Sequence, residues 1–202
     1  YGQKWVDLLD VTVRRDAYAG GFSPKKSSPL KAENGSLTWS NNPRQNANNY
    51  RMIKLSTVML WLAECEVEVG DLNKARALVN QIRVRASNPE GYVKMADGKP
   101  AGNYVIKTYD TAWTDKTIAR NAVRTESRLE FGMEGHRFFD LVRWGIADQV
   151  LNKYIEIEST KRTYLRGSTF KKGKNEYFPI PNQEILNSQK DGKPTLVQNP
   201  GY

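Results

Sequence analysis

Apolar residues recur at three- and four-residue steps along two adjacent stretches of the chain. In the first they fall at Ile53, Leu55, Val58, Met59, Leu62 and Ala63, and in the second at Leu72, Ala75, Leu78, Val79 and Ile82. This spacing predicts two amphipathic helices folded against each other, over about 51–69 and 72–86. Between them, Gly70 can end the first helix and Asp71 can cap the second. Small Ala63 and Ala75 beside bulky Leu62 and Val79 resemble the tetratricopeptide helix pair, a unit of about 34 residues. One such pair cannot bury both of its apolar faces, so the pattern predicts a place in a longer helical array.

The rest of the chain alternates between loops and helices. The first forty-nine residues lack periodicity and are rich in turn formers (Gly20-Gly21, Ser23-Pro24, Asn34-Gly35, Asn41-Asn42-Pro43), yet they carry Trp5, Tyr18, Phe22 and Trp39. A second loop, 88–114, again mixes turn residues with Tyr92, Tyr104, Tyr109 and Trp113. Thr114 is placed to cap a helix from about Asp115 to Met133, and a further helix is predicted from about His136 to Ile157 after Gly135. Brief alternation around Thr163-Tyr164-Leu165 and Glu176-Tyr177-Phe178 predicts a short hairpin. A proline-punctuated tail from Phe178 to Tyr202 closes the chain. The fold class is therefore mainly α: helical pairs of tetratricopeptide type, long irregular loops and a short β-hairpin near the C-terminus. Its organisation reads as a loop region (1–49), a helix pair (50–87), a loop (88–114), a second helix pair (115–158) and a terminal hairpin and tail (159–202).

At 202 residues the chain is long enough for one domain with its own core, and its 39% hydrophobic and 26% charged residues are ordinary for a globular domain. The longest apolar run, Val58 to Ala63, is far short of the roughly 20 residues needed to span a bilayer as a helix. The chain opens at Tyr1 without an initiator Met or an apolar leader, which fits either removal of a signal or a start partway through a longer protein. Cys65 is the sole cysteine, so an internal disulfide and a cysteine-based metal cluster are excluded; its neighbours predict a partly buried helical thiol. His136, also alone, lacks partner histidines for a metal site. The formal net charge of +9 invites a nucleic-acid reading, but the cations are scattered among acids. The densest group, Lys171, Lys172 and Lys174, reads as a solvated turn, and no nucleic-acid motif accompanies it. No cofactor or metal is expected.

The most informative stretch runs from Arg124 to Gly145. Arg124 and Arg128 stand one helical turn apart, as do Glu130 and Glu134, and Arg137, Asp140 and Arg143 follow at three-residue steps. Glu130 and Glu134 could be paired as acid and base for glycoside hydrolysis. Four or more nearby arginines would instead hold both carboxylates ionised, which opposes a general acid and favours an architectural charge network. The segment Glu130–Gly145, read as Glu-x-x-x-Glu-Gly-His-Arg-x-x-Asp-Leu-x-Arg-Trp-Gly, resembles the signature of the SusD/RagB family of outer-membrane nutrient-binding lipoproteins. Gly132, where alanine is common, is the one departure. Three further segments resemble the family in the expected order: Ala17–Lys26; the pair Leu60–Glu64 with Val79–Ala86; and Phe178–Pro181 with Gln198–Tyr202.

What the resemblance implies is a surface-exposed lipoprotein of Bacteroidetes-type bacteria that captures oligosaccharides and hands them to a SusC-like TonB-dependent transporter, with no catalysis. It also implies that this is the C-terminal portion of a longer protein, whose lipid anchor lies outside this sequence; Cys65 is not that anchor. The matched motifs carry over no binding residue. Sugars are held by aromatic faces plus hydroxyl- and amide-bonding groups, so the candidate ligand contacts are the loop aromatics Trp5, Tyr18, Trp39, Tyr104, Tyr109 and Trp113. Trp39 has Ser36, Ser40, Asn41 and Asn42 beside it. Alternative readings are a RagB-like peptide receptor, a tetratricopeptide-type protein-interaction module and a carbohydrate-active enzyme.

Overall fold

The computed structural model describes residues 47, 49, 51–95 and 97–202, and for 38–39 and 42–46 the course of the backbone alone. Thr38–Trp39 (β1) and Asn42–Asn46 (β2) form an antiparallel pair whose register shifts between Thr38 and Trp39. The chain forms two compact units, one spanning Asn49–Glu134 and the other containing Gly135–Tyr202.

The first unit is built on helix α1 (Leu55–Val69) and helix α2 (Leu72–Ala86), joined by Gly70 and Asp71 and packed side by side. Asp71 caps α2 through its carboxylate, which accepts the N–H groups of Asn73 (2.7 Å) and Lys74 (3.3 Å), as the sequence predicts. α1 begins four residues later than its periodicity suggests. The Lys54 N–H donates to Thr57 Oγ1 at 3.2 Å and fixes the start, while Met52 and Ile53 stay exposed. Helix α3 (Lys116–Glu130) lies against both. Its cap is Asp115, not Thr114: the Asp115 carboxylate accepts the Ile118 N–H at 2.9 Å.

The core between these three helices holds Leu60, Ala63 and Val67 from α1; Ala75, Val79 and Ile82 from α2; and Ala119, Ala122 and Val123 from α3. Ala63, Ala75 and Ala119 are wholly buried, and residues this small let the helix axes approach closely. The buried face of α1 differs from the predicted one. Leu55, Val58 and Leu62 point outward, 76%, 50% and 48% exposed, and the inward row is Leu60, Ala63 and Val67. Cys65 is exposed on the same outer face. α1 is apolar nearly all round, so periodicity alone could not choose its inner side.

In the second unit the single helix predicted after Gly135 is two: α4 (His136–Arg143) and α5 (Ala147–Glu158), packed on each other. The break is a Schellman motif. Gly145 adopts φ +69°, its N–H donates to the Val142 carbonyl at 2.9 Å, and the Ile146 N–H donates to the Leu141 carbonyl at 3.0 Å. Thr163–Leu165 is a 3-10 turn rather than a strand. The terminal hairpin lies further on, after helix α6 (Asn182–Asn187), where Gln189–Lys190 (β3) pairs antiparallel with Lys193–Pro194 (β4). Asp191 and Gly192, at φ +54° and +75°, supply the two left-handed residues that a tight two-residue hairpin turn needs.

The tail folds back on the preceding proline segment. Gln198 clamps Ile180 on both sides, accepting its N–H (2.7 Å) and donating to its carbonyl (2.8 Å). Asn199 donates to the Phe178 carbonyl and the Tyr202 hydroxyl to that of Tyr177. These bonds give a physical role to the two tail segments singled out in the sequence.

Candidate ligand-binding site

The loop between α2 and α3 is ordered by an unusual amount of side-chain bonding. Along α2, Asn73, Arg76, Asn80 and Arg83 form a polar row at three- and four-residue spacing, and segment 107–113 lies along it. Asn80 grips Tyr109 twice, donating to its carbonyl at 3.0 Å and accepting its N–H at 2.8 Å. Arg76 donates to the carbonyls of Tyr109 (2.7 Å) and Asp110 (3.2 Å), Arg83 donates to that of Lys107, and Asn73 accepts the Trp113 N–H at 3.1 Å. The Lys107, Tyr109 and Asp110 carbonyls and the Tyr109 and Trp113 N–H groups are thereby satisfied without a sheet.

The outer part of the same loop closes on itself. The Ala101 N–H donates to the Val93 carbonyl (2.7 Å) and the Met95 N–H to that of Lys99 (2.8 Å), around a turn where Gly98 takes φ +82°. At its base, Tyr92 and Tyr104 stack with ring centroids 4.1 Å apart and planes 12° from parallel. The Tyr92 hydroxyl donates to the Ser87 carbonyl at 3.0 Å, and the Tyr104 oxygen accepts the Val93 N–H at 3.1 Å. Tyr104 remains 36% exposed, so it offers aromatic surface from a fixed position. Tyr92 was visible in the sequence only as one loop aromatic among several; its partnership with Tyr104 spans twelve residues and has no periodic signal.

The other candidate residues fall in different places. Trp113 is 6% exposed and packs in the core, edge-on to Tyr109 at 5.3 Å. The expectation that it faces a ligand is corrected: the polar row seats its backbone and turns the indole inward. Tyr109 is half-buried, with the Arg83 guanidinium 5.0 Å from its ring centre. Trp39 lies in β1, where only the backbone is described, and Trp5 and Tyr18 lie outside the described residues.

The carboxylates of α3 reach partners on the first helix pair. Arg83 meets buried Glu126 at 2.7 Å, Arg85 meets Glu130 at 2.5 Å, and Lys54 lies 3.5 Å from Glu130 and 2.8 Å from Glu134. The Lys54 ammonium also stands 5.2 Å from the centre of the Phe131 ring. Burial pushes the Glu130 carboxyl up, but Arg85, Ser56 and Lys54 together outweigh it. The net result is a value below the ordinary carboxylate range. Arg128 is exposed and Arg124 half-buried on the same helix. In the second unit, Arg143 pairs with Asp140 at 3.2 Å, and Arg137 and Arg143 lie 5.7 and 5.5 Å from the Trp144 ring centre. Among the described residues no group of three or more His, Cys, Asp or Glu is placed to hold a metal ion, and no helix is long and apolar enough to cross a membrane.

Comparison with known proteins agrees with this architecture. The model of the SusD family, SusD/RagB, matches residues 8–202. The chain belongs to the SusD family. It is 29% identical over 159 residues to the SusD-like protein P25 of Formosa agariphila, an alignment covering 78% of this chain and 26% of that protein. The chain thus spans about a quarter of the length of this curated relative. Proteins of the family are nutrient-binding proteins rather than enzymes and are typically associated with the outer membrane.

Proposed function

We propose that this chain serves the non-catalytic binding of oligosaccharide at the outer-membrane surface and its delivery to a SusC-like TonB-dependent transporter, within a surface lipoprotein anchored by lipid. The observation that supports it best is the Tyr92–Tyr104 stack, held on an ordered loop in a chain of a nutrient-binding family. A rigid aromatic surface suits the C–H face of a sugar ring, and a loop ordered before binding loses little entropy when the ligand arrives. The ion-paired state of Glu130 supports the non-catalytic part, because a general acid needs a carboxyl that keeps its proton near neutrality.

A tetratricopeptide-type interaction module is the second reading, and the exposed apolar side of α1 favours it. A RagB-like peptide receptor finds less support on α2, whose polar row is filled by the chain's own 107–113 segment. Calorimetry of the whole protein against a glycan and peptide panel separates these readings. Loss of a stacking platform in Tyr104→Ala or Trp39→Ala should weaken glycan binding several-fold to about tenfold. Trp113→Ala should lower the melting temperature and leave affinity intact once folded. Unchanged affinity in both platform variants, or peptide bound in preference to every glycan, sinks the proposal.

A further inference from the structure

Between Ser159 and Asn175 the chain carries Lys161, Arg162, Arg166, Lys171, Lys172 and Lys174 and no carboxylate. The sequence alone reads Lys171, Lys172 and Lys174 as a solvated turn. The structure shows a segment tied down at its middle: Asn152 donates to the Phe170 carbonyl (3.0 Å) and accepts the Phe170 N–H (2.8 Å), and the Phe170 ring meets Phe138 edge-on at 6.4 Å. The turn that follows is closed by the Lys174 and Asn175 N–H groups, which donate to the Lys171 carbonyl, and by the Asn175 side chain, which accepts the Lys171 N–H. Part of the charge is answered internally, since Arg162 pairs with Glu158 at 2.8 Å and the Lys174 ammonium lies 4.5 Å from the Tyr202 ring centre. Arg166, Lys171 and Lys172 are exposed and, among the described residues, have no carboxylate within ion-pair distance. Tyr164, 54% exposed, precedes Arg166 by two residues.

We propose that this segment is a binding surface for an anionic polysaccharide, one bearing sulfate or uronic carboxylate groups. The inference rests on the glycan-binding reading above and adds the class of glycan. Cations near one another in sequence on a held backbone concentrate positive charge that an anionic chain can neutralise, and holding the backbone in place spares the cost of ordering it on binding. Exposed Tyr164 adds an aromatic ring face for a sugar within the same segment. An anionic lipid surface would attract the same cations, but the segment, made of turns and one 3-10 turn, presents no amphipathic helix to insert beside them.

The test uses the full chain with dextran sulfate and uncharged dextran of matched length. In one variant Arg166, Lys171 and Lys172 are replaced together by Gln. In a control, Arg51→Gln, Lys74→Gln and Lys190→Gln remove the same charge from exposed sites outside this segment and outside the Tyr92–Tyr104 loop. We expect dextran sulfate to bind in preference to dextran, with affinity falling as salt rises. The first triple variant should lose about tenfold in affinity and the control less than about twofold. Equal losses in both variants would reduce the effect to net charge and overturn the proposal, as would no loss in either. Vesicles of anionic phospholipid bound more tightly than dextran sulfate, with the same sensitivity to Arg166, Lys171 and Lys172, would overturn it in favour of a lipid surface. Binding of neutral glycans with no preference for sulfated ones defeats this inference alone. Failure of the whole protein to bind any glycan, neutral or charged, defeats the glycan-binding reading with it.

Discussion

Lys54 occupies the point where α1 begins and α3 ends. Its ammonium meets Glu134 at 2.8 Å and Glu130 at 3.5 Å and lies over the Phe131 ring. Lys54→Met keeps the apolar stem and removes the cation that both carboxylates share, so it should cost about 1–3 kcal/mol in a thermal or denaturant melt, with Lys54→Arg restoring most of it. A Lys54→Met protein as stable as the parent would remove the network from the architecture. pH offers a second handle. The ordinary value for Glu130 is 4.5, and its folded value lies lower. Its stabilising contribution is therefore complete above about pH 4.5 and is lost as pH falls through the folded value. Glu68, held down to about 2 chiefly by Arg120 and also by Lys116, follows the same sign, but it is exposed and contributes little. Stability measured from pH 5 to pH 2 should decline, and Glu130→Gln should flatten the slope. Met133 is a different kind of residue: it holds φ +66° while 75% exposed, a left-handed backbone without packing to compensate. Met133→Gly should stabilise the fold by about 1 kcal/mol.

At the scale of elements, the structure divides between what local pattern can specify and what it cannot. α2 runs over the predicted residues because its apolar row, its Asp71 cap and the preceding Gly70 all agree. α1 lacks that agreement: with apolar residues on both sides, its inner face is chosen by α2 and α3, which no window of its own sequence contains. The stop at Gly145 was missed because the apolar positions on either side continue the helical spacing and hide the break. The 107–113 segment was least legible of all. Its residues show no periodicity, and its order comes from side chains 24 to 40 positions away on α2. This makes a sharp prediction for Asn80. Replacing it with Ala removes two hydrogen bonds to Tyr109 and leaves the Tyr109 N–H without that acceptor in a half-buried place. The cost should be about 1–3 kcal/mol. Hydrogen exchange at 107–113 should accelerate more than exchange in the helices, and a uniform acceleration throughout would contradict a local role for the row.

For the whole molecule, family membership was readable from short motifs spread along the chain, whereas the chemistry of their acidic residues was not. The motif suggests arginines nearby in sequence as partners for Glu130 and Glu134. The partners seen in space include Arg85, 45 positions from Glu130, and Lys54, 80 positions from Glu134. The two readings of those carboxylates, architecture or acid–base pair, differ in one observable. Hydrolysis of a glycosidic bond needs one carboxyl protonated near neutral pH to assist the leaving oxygen, and a second ionised one across the bond. Arg85 and Lys54 hold Glu130 in its ionised form, so it is not set up to donate that proton, and Glu134 is ion-paired with the same Lys54. A glycan bound by the whole protein should therefore keep its chain length through prolonged incubation at pH 5 to 8, as read by mass spectrometry or size separation. Glu130→Gln should then change stability and leave the glycan equally intact. Shortened products that vanish in Glu130→Gln, while binding and folding persist, would make this carboxylate an acid–base group and the chain an enzyme.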